Sequence, residues 1–416
     1  MMAMLLGTWP FLLAQPAVDS IPATRVRDIM HVLAGDSLRG RGNGSADLLK
    51  AGEFIANEFR EAGLQSLPGL YSLFHPFHPF GGPKNNVRDK LEWNGKPLQE
   101  NDFLYLPVSP GMYSPRQLTD FTIVRVDSFT KDLLFRFAET DKDLLIWSLP
   151  PEKNRLKPEE LSIPSGKPKG ARLIVYATTP PDSLQLTAMD AYFRMVEYNI
   201  IGVLPGRSRP AECIVFSAHY DHEGTVRKGK DTIMNGANDN ASGTTALLML
   251  ARYFALRNDN ERTLIFCAFA GEELGLKGST ELAKLLNPEK IKAGINLEML
   301  GVPQYGKKRV FITGERYSSL PDILSKRLKA AGLKVVREPD EEKMLFMRSD
   351  NYPFVDKGIP FHTIMASDDD DPCYHRPCDE VKRIDVPNLT AIIRAIATAS
   401  RSLINGEETP GDVIKP

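Results

Sequence analysis

The stretch R-T-L-I-F-C-A-F-A-G-E-E-L-G, residues 262–275, decides the fold class of this chain. Leu264 to Ala270 are seven apolar residues in a row, the length and composition of a strand buried on both faces of a sheet. One glycine later come two adjacent glutamates, Glu272 and Glu273. In open sheets covered by helices, ligands bind beyond the carboxyl ends of the strands. The stretch therefore predicts a buried strand that delivers two carboxylates to a functional edge.

Beyond residue 190 the apolar pattern alternates between strand-length and helix-length segments. The predicted strands are Ile201–Leu204, Cys213–Ala218, Leu264–Phe269, Ile295–Met299, Val310–Thr313 and Phe361–Met365. The predicted helices in this region are Ser242–Leu256, Ser279–Leu286, Pro321–Ala331 and Val386–Leu403, and a further one is predicted earlier, at Ala46–Ala62. Strands interleaved with helices predict an α/β fold, a three-layer α/β/α sandwich with a mostly parallel mixed central sheet.

Residues 82–190 break this alternation. They contain short strand-like runs such as F-T-I-V-R-V (121–126) and L-L-I-W-S-L (144–149), separated by turns rich in Pro, Gly, Asn and Lys. We therefore expect a β-rich insertion at 82–190 within a main domain formed by 20–81 and 191–408. Residues 1–19 then form an N-terminal segment and 409–416 a C-terminal tail.

The composition excludes a function carried by overall charge. The chain of 416 residues is 42% hydrophobic and 25% charged, and its 52 basic and 53 acidic side chains nearly cancel. Nothing global attracts it to nucleic acid or to an anionic membrane. No stretch approaches 18 uninterrupted apolar residues, so no integral membrane segment is predicted. The function must lie in a local site, and no motif indicates an oligomeric state.

The N-terminus and two cysteines bear on the compartment. Residues 1–14, M-M-A-M-L-L-G-T-W-P-F-L-L-A, have the apolar length of a signal peptide, but no Lys or Arg precedes them. Two interpretations follow, an export signal for a periplasmic or secreted protein and an apolar arm packed on the domain. Cys373 and Cys378 lie in a polar loop. In an exported protein we expect them to form a disulfide, and otherwise to be free thiols.

Residues with metal-binding or acid-base chemistry follow the predicted strands. They are His219 with Asp221, Asp239 ahead of a helix, Glu272 with Glu273, Glu298, and His375. Singly each has an ordinary explanation, since acidic pairs begin helices and Asp is common in turns. Together at one sheet edge, their nitrogen and carboxylate donors suit two divalent ions, most simply zinc. Asp221 is placed to accept the second ring N–H of His219.

The motifs around these residues resemble those of peptidase family M28, the zinc-dependent aminopeptidases. In the family's order and spacing they are A-H-Y-D-H (218–222), N-G-A-N-D-N-A-S-G (235–243), A-G-E-E-L-G-L-K-G-S (270–279), I-N-L-E-M-L-G (295–301), R-S-D-N-Y-P-F-V-D-K-G-I-P (348–360) and Y-H-R-P-C-D-E-V (374–381). The resemblance covers about residues 33–64 and 200–403 and leaves the insertion unmatched.

The resemblance implies a zinc-dependent exopeptidase, an aminopeptidase that removes N-terminal residues from peptides. One zinc ion would lie among His219, Asp239 and Glu298, and the second among Asp239, Glu273 and His375. Glu272 would be the general base, taking a proton from a metal-bound water and returning it to the leaving amine. The resemblance also implies a cis peptide bond between Asp239 and Asn240.

Two positions depart from the family pattern. Glu298 stands where many members have Asp, and the extra methylene puts the geometry or occupancy of its metal in question. Asn351 stands in the S-D-N motif where histidine is frequent, so no role of that histidine is carried over. Asp350 is expected either to support the ligands without binding metal or to be a turn residue.

Three other functions are compatible with the same scaffold. A glutaminyl cyclase-like enzyme would use a single zinc ion, which a full set of ligands for two ions disfavours. A carboxypeptidase would need a cation for the substrate carboxylate, and Arg348 is the nearest candidate. A non-catalytic, receptor-like relative would have lost metal ligands, and none is lost here. No motif indicates which side chain is preferred at the cleavage site.

Overall fold

The structure is a computed structural model that describes residues 20–77, 79, 90–99, 102–106, 116–126, 140–148, 170–187, 196–226, 231–339 and 341–414. The apolar segment 1–19 lies outside the described residues. The chain divides into two compact units, Met1–Pro79 with Val196–Pro416, and Phe80–Met195. The second unit begins two residues before the expected insertion, at 80 instead of 82, and ends five residues after it. In the described ranges no helix has the length and apolar character needed to cross a membrane.

The main unit is built on one eight-stranded sheet, with strands numbered in chain order through both units. In their order across the sheet they are β1 (Phe74–Phe77), β10 (Glu197–Leu204), β14 (Arg262–Phe269), β11 (Arg209–His219), β15 (Ile291–Glu298), β18 (Phe361–Met365), β16 (Arg309–Ile312) and β17 (Lys334–Val335). The central strands β14, β11, β15 and β18 are parallel. Antiparallel pairing joins β1 to β10, β10 to β14 and β16 to β18. A short antiparallel pair, β12 (Gly224–Thr225) and β13 (Ile233–Met234), lies apart from this sheet.

Helices connect these strands close to the predicted positions. Those described are α1 (Ala23–Leu33), α2 (Ala46–Glu61), α3 (Gly243–Arg257), α4 (Lys277–Leu285), α5 (Leu320–Ala330), α6 (Leu345–Arg348), α7 (Tyr352–Val355), α8 (Val386–Ala399) and α9 (Arg401–Ile404). The prediction of one helix over Val386–Leu403 was wrong, because the chain breaks at Ser400. The Ser400 hydroxyl donates to the Ile396 carbonyl, which also accepts the helical bond from the Ser400 N–H.

Side chains alternate between two hydrophobic cores along the central strands. On β14, one core takes Leu264, Phe266 and Ala268, and the other takes Ile265, Cys267 and Phe269. The first core also contains residues of α1, α2, α3, α5 and α8, whereas the second contains residues of α4 and α7. A strand buried on both faces has this period of two. The expected three-layer α/β/α sandwich is therefore confirmed.

The second unit is β-rich in its described part. Its strands are β2 (Lys90–Trp93), β3 (Lys96–Pro97), β4 (Phe103–Leu106), β5 (Arg116–Gln117), β6 (Thr122–Val126), β7 (Leu144–Ser148), β8 (Arg172–Tyr176) and β9 (Leu184–Thr187). They form two four-stranded sheets, ordered β3-β2-β9-β5 and β4-β8-β7-β6. Its own core contains Leu91, Trp93, Leu145, Trp147 and Leu173. The expected β-rich insertion on the α/β sandwich is thus present.

Candidate metal centre

The carboxyl ends of adjacent parallel strands place the candidate residues at one edge of the main sheet. β11 ends at His219 and β15 ends at Glu298. Glu272 and Glu273 follow β14 after Gly271, whose φ of 72° is a conformation that glycine adopts without strain. Because β14, β11 and β15 are neighbours and parallel, their ends lie side by side. The fold itself therefore gathers these side chains.

Asp239 lies between two histidines. It belongs to the turn Ala237–Ser242 that leads into α3. Its Oδ1 is 3.4 Å from Nε2 of His219, and its Oδ2 is 3.1 Å from Nε2 of His375. Nε2 of His375 is also 3.2 Å from Oε2 of Glu273. Each oxygen of Asp239 thus faces a different histidine, the arrangement that a carboxylate bridging two ions requires.

Two groups of residues at this site offer ligand atoms that, within each group, all lie within 4.8 Å of one another. One group comprises His222, Asp239, Glu273 and His375, and the other comprises His219, Glu272 and Glu273. Glu298 belongs to neither group, but it lines the same cavity as Asp239 and Glu272. The five predicted ligands and the predicted base therefore share one site, with Glu298 the most loosely associated.

The donor set fits zinc. Neutral imidazole nitrogen and carboxylate oxygen are the usual zinc ligands where cysteine is absent. Nε2 of His375 is buried and makes no hydrogen bond, although the carboxylates of Asp239 and Glu273 lie next to it. A buried nitrogen without a hydrogen bond destabilises the folded chain, unless a cation binds between it and the two carboxylates. The residues present are thus suited to hold zinc.

His222 is part of this centre and was not predicted as a site residue. Its Nδ1 is 2.9 Å from Oε1 of Glu273, and only 1% of the residue is exposed. A carboxylate only accepts hydrogen bonds, so Nδ1 of His222 carries a hydrogen and donates a hydrogen bond to Oε1 of Glu273. The bond leaves Oε2 of Glu273 toward His375. His222 is the second histidine of A-H-Y-D-H, and this position in the motif could have identified it as a site residue.

Asp221 supports the site differently from the prediction. Its Oδ1 is 3.8 Å from Nδ1 of His219, too far for a hydrogen bond, whereas its main-chain oxygen is 3.3 Å from that nitrogen. The buried Asp221 carboxylate instead accepts from the backbone N–H groups of Glu272 (3.3 Å) and Glu273 (3.2 Å) and from Nδ2 of Asn43 (2.8 Å). It therefore fixes the backbone of the glutamate pair.

The turn that carries Asp239 is held by Asp379, which sequence patterns did not single out. The Asp379 carboxylate accepts from the backbone N–H groups of Asn238 and Asp239, each at 3.0 Å. The peptide bond between Asp239 and Asn240 is cis, as the resemblance implied. The side chain of Asn240 also donates to the Leu297 carbonyl of β15 and accepts from the N–H of Met299, the residue after that strand.

The loop that carries His375 is closed by a disulfide between Cys373 and Cys378, whose Cα atoms are 5.3 Å apart. The ring of Tyr374 stacks on His375 with centroids 3.9 Å apart. Nδ1 of His375 is 3.5 Å from Oε1 of Glu223. These contacts restrict the ring of His375 from several directions.

The adjacent glutamates differ in acidity. Burial raises the pKa of Glu272 well above its usual range, and the negative charge of Glu273 raises it further, although His219 opposes the shift. Burial and Asp239 also act against the charged form of Glu273, but His222 and His375 outweigh them and lower its pKa to about 2. One carboxyl is thus suited to take up a proton and its neighbour to stay ionised. Burial raises the pKa of Glu298 to about 7.

Comparison with known proteins agrees with this geometry. The model of peptidase family M28 matches residues 199–400. This segment belongs to peptidase family M28. It contains all five predicted ligands, Glu272, and the supporting residues His222 and Asp379.

Aminopeptidases and probable zinc metalloproteases appear among the curated relatives of the chain. Aminopeptidase YwaD of Bacillus subtilis is 26% identical over 239 residues, which cover 55% of this chain and 49% of the relative. A probable zinc metalloprotease of Pyricularia oryzae is 36% identical over 120 residues, or 29% of this chain and 23% of the relative. The chain thus spans half or less of the length of these curated relatives.

Solved structures share the fold. The aminopeptidase from Aneurinibacillus sp. strain AM-1 superimposes with a TM-score of 0.59 at 18% identity, covering 96% of this chain and 97% of that one. The zinc aminopeptidase BSAP from Bacillus subtilis gives a TM-score of 0.56 at 18% identity, covering 92% and 95%. At this identity the likeness concerns the fold.

The positions that depart from the M28 pattern have defined contacts. Glu298 accepts a hydrogen bond from Nδ2 of Asn296 at 3.1 Å. Asn351 is fully buried, donates to the Phe346 carbonyl and accepts from the Thr363 hydroxyl, which is a structural role. Asp350 is also fully buried rather than in an exposed turn, and burial raises its pKa to about 7 while His219 opposes the shift.

Proposed function

We propose that this protein is a zinc-dependent aminopeptidase with two zinc ions, which hydrolyses the N-terminal peptide bond of peptide substrates. The observation that carries the proposal is the position of Asp239 between His219 and His375, with Glu272 in the wall of the same cavity. His219, Asp239 and Glu298 would hold one ion, and Asp239, Glu273 and His375 the other.

Zinc bound at this site would polarise the scissile carbonyl and lower the pKa of water. Glu272 accepts a proton as the water oxygen bonds to the carbonyl carbon. It then delivers this proton to the amide nitrogen as the carbon–nitrogen bond breaks, so that a neutral amine leaves. The bonds from Asp221 to the backbone of Glu272 and Glu273 keep the base beside the ligands during both transfers.

The charge of the cavity favours an aminopeptidase over a carboxypeptidase. Arg348 does line the cavity, but its Nη1 is 2.8 Å from Oδ2 of Asp369. A guanidinium engaged with a carboxylate is poorly disposed to bind a second one. Among the described lining residues, carboxylates outnumber this cation, namely Asp239, Glu272, Glu298 and Asp369. The described wall therefore offers a substrate carboxylate no unpaired cation of the protein.

A substrate panel tests the proposal. Aminoacyl p-nitroanilides, unblocked dipeptides, N-acetylated peptides and an N-terminal glutaminyl peptide are assayed with chelator and after zinc is restored. We expect cleavage of the unblocked substrates only, loss of activity with chelator, and recovery with two zinc ions per chain. Release of C-terminal residues from N-acetylated peptides would indicate a carboxypeptidase. Cyclisation of the glutaminyl peptide with one zinc ion would indicate a cyclase.

On the same footing we propose that the protein works in an oxidising compartment outside the cytosol. The support is the disulfide between Cys373 and Cys378 beside His375, because such bonds persist in periplasmic and secreted proteins and are rare in the cytosol. Fractionation of the native host into cytosolic and exported pools, followed by detection of the protein, tests this location.

A further inference from the structure

A fully buried arginine, Arg41, contacts the segments that carry His219 and Asp239. Arg41 is 1% exposed and follows two residues that also have positive φ, Arg39 at 38° and Gly40 at 72°, while its own φ is 49°. A Cβ atom on Gly40 would come within 2.3 Å of the backbone oxygens of Gly224 and Met234. Only glycine therefore permits this close approach, which directs the Arg41 side chain inward.

The guanidinium of Arg41 bonds to backbone carbonyls and to no carboxylate among the described residues. Nε donates to the Tyr220 oxygen at 2.7 Å. Nη1 donates to Asn235 at 2.7 Å and to Leu33, and Nη2 donates to Gly236 at 3.0 Å. The planar guanidinium carries five N–H donors and can bond to several carbonyls that lie in different directions. A lysine ammonium lacks this fixed planar arrangement, or fork.

These carbonyls belong to the segments that carry two metal ligands. Tyr220 directly follows His219, and Gly236 lies three residues before Asp239. In addition, the backbone oxygen of Arg41 accepts from the N–H of His222 at 3.1 Å. One residue thus joins the segment after β11 to the turn before α3.

Arg41 also brings a positive charge to a site rich in carboxylates. Burial lowers its pKa to about 10, while the charges of Asp239, Asp221, Asp379 and Glu273 act in the opposite direction. The side chain is therefore cationic at neutral pH. Carboxylates that surround an empty metal site repel one another, and a fixed cation behind them reduces that repulsion.

We propose that Arg41 is a positioning residue that holds the ligand segments at their metal-binding separation and supplies a permanent counter-charge before zinc arrives. The inference rests on the proposed two-zinc site. It predicts that part of the zinc affinity resides in a residue that never contacts the metal. Supporting groups of this kind typically contribute roughly 10- to 100-fold to metal affinity.

The test uses two substitutions of Arg41 and one control. Arg41→Lys keeps the charge and loses the fork, whereas Arg41→Met loses both. Arg262→Lys is the control, because Arg262 is 2% exposed and also bonds backbone carbonyls, those of Leu403 and Glu408. It begins β14, at the end of that strand away from Glu272, and it also pairs with Glu212. Zinc binding to chelator-treated protein is measured by isothermal titration calorimetry, and folding by near-UV circular dichroism.

We expect Arg41→Met to lose roughly 10- to 100-fold in zinc affinity and Arg41→Lys to lose less, with Arg262→Lys binding zinc as the wild type does. An equal loss of zinc affinity in both Arg41 variants would assign the effect to the hydrogen bonds of the guanidinium alone. It would overturn the part of the proposal that concerns the positive charge. Unchanged affinity, or variants that remain unfolded with and without zinc, would overturn the inference altogether. If the wild-type protein binds no zinc, the proposed function fails instead.

Discussion

Replacement of Glu272 by glutamine separates the proposed chemistry from metal binding. The change keeps the length and nearly the volume of the side chain and removes the group that accepts a proton. The backbone should not move, because Asp221 bonds to the N–H groups of residues 272 and 273 and not to the Glu272 side chain. Burial and Glu273 favour the neutral form of Glu272 in the metal-free site, and an amide reproduces that neutral form.

The expected loss follows from the role assigned to the side chain. Positioned acid-base transfer contributes roughly 10²- to 10⁴-fold to turnover. At about 1.4 kcal/mol for each tenfold change, the barrier should rise by about 3 to 5 kcal/mol. Zinc affinity should change far less, because the ligands assigned to the ions are other residues. The melting temperature of metal-free protein should stay close to the wild-type value, since no buried hydrogen bond is lost.

The assay compares kcat and KM for an aminoacyl p-nitroanilide, together with zinc content after dialysis. Glu281→Gln is a matched control, because Glu281 is partly exposed and pairs with Lys284 on α4. It should leave all three quantities within about twofold of wild type, as a surface ion pair contributes little. Near-normal kcat in Glu272→Gln with full zinc content would refute the general-base role. A loss that vanished when zinc was restored would assign Glu272 to metal binding instead.

Three further predictions concern residues around or apart from the centre. His222→Leu should reduce zinc affinity roughly 10- to 100-fold by releasing Glu273, whereas His222→Asn should retain more of it, and equal affinities would contradict this. Alkylation of native protein without reductant should leave Cys373 and Cys378 unlabelled, as mass spectrometry can check; labelling of both would disprove the disulfide and weaken the proposal of export. Burial lowers the pKa of His362 to about 4, so the unfolded chain binds more protons below about pH 6.5. Stability should therefore fall by about 3 kcal/mol between pH 6.5 and 4, and denaturant titrations of His362→Gln with chelator should lack this component.

Much of the main unit could be predicted because its signals are local. The run Leu264–Ala270 is apolar on both faces, and its residues do alternate between two cores. The same reasoning placed the carboxylates at strand ends, since parallel strands share one carboxyl edge. The division of the helix at Ser400 was missed because the apolar spacing continues across it, from Ala399 to Leu403.

The supporting contacts of the centre could not be predicted. A sequence motif shows that Asp221 is two residues from His219, but not that its carboxylate bonds to the backbone of Glu272 and Glu273. Likewise nothing local links Asp379 to Asp239, which lies 140 positions earlier. These bonds are between side chains and backbone N–H groups, and every residue type except proline carries the same N–H.

Residue types and their periodicity already indicate which chemistry is available, namely histidine and carboxylate donors at the ends of buried strands, because both can be read directly from the chain. The folded chain, in contrast, settles which side chains meet and which hydrogen bonds hold them in place. Arg41 is the clearest case, since its side chain bonds to carbonyls of Tyr220, Asn235 and Gly236, the first of them 179 positions away. A backbone carbonyl has no sequence signature, so its partner becomes defined only when the folded chain brings the two together.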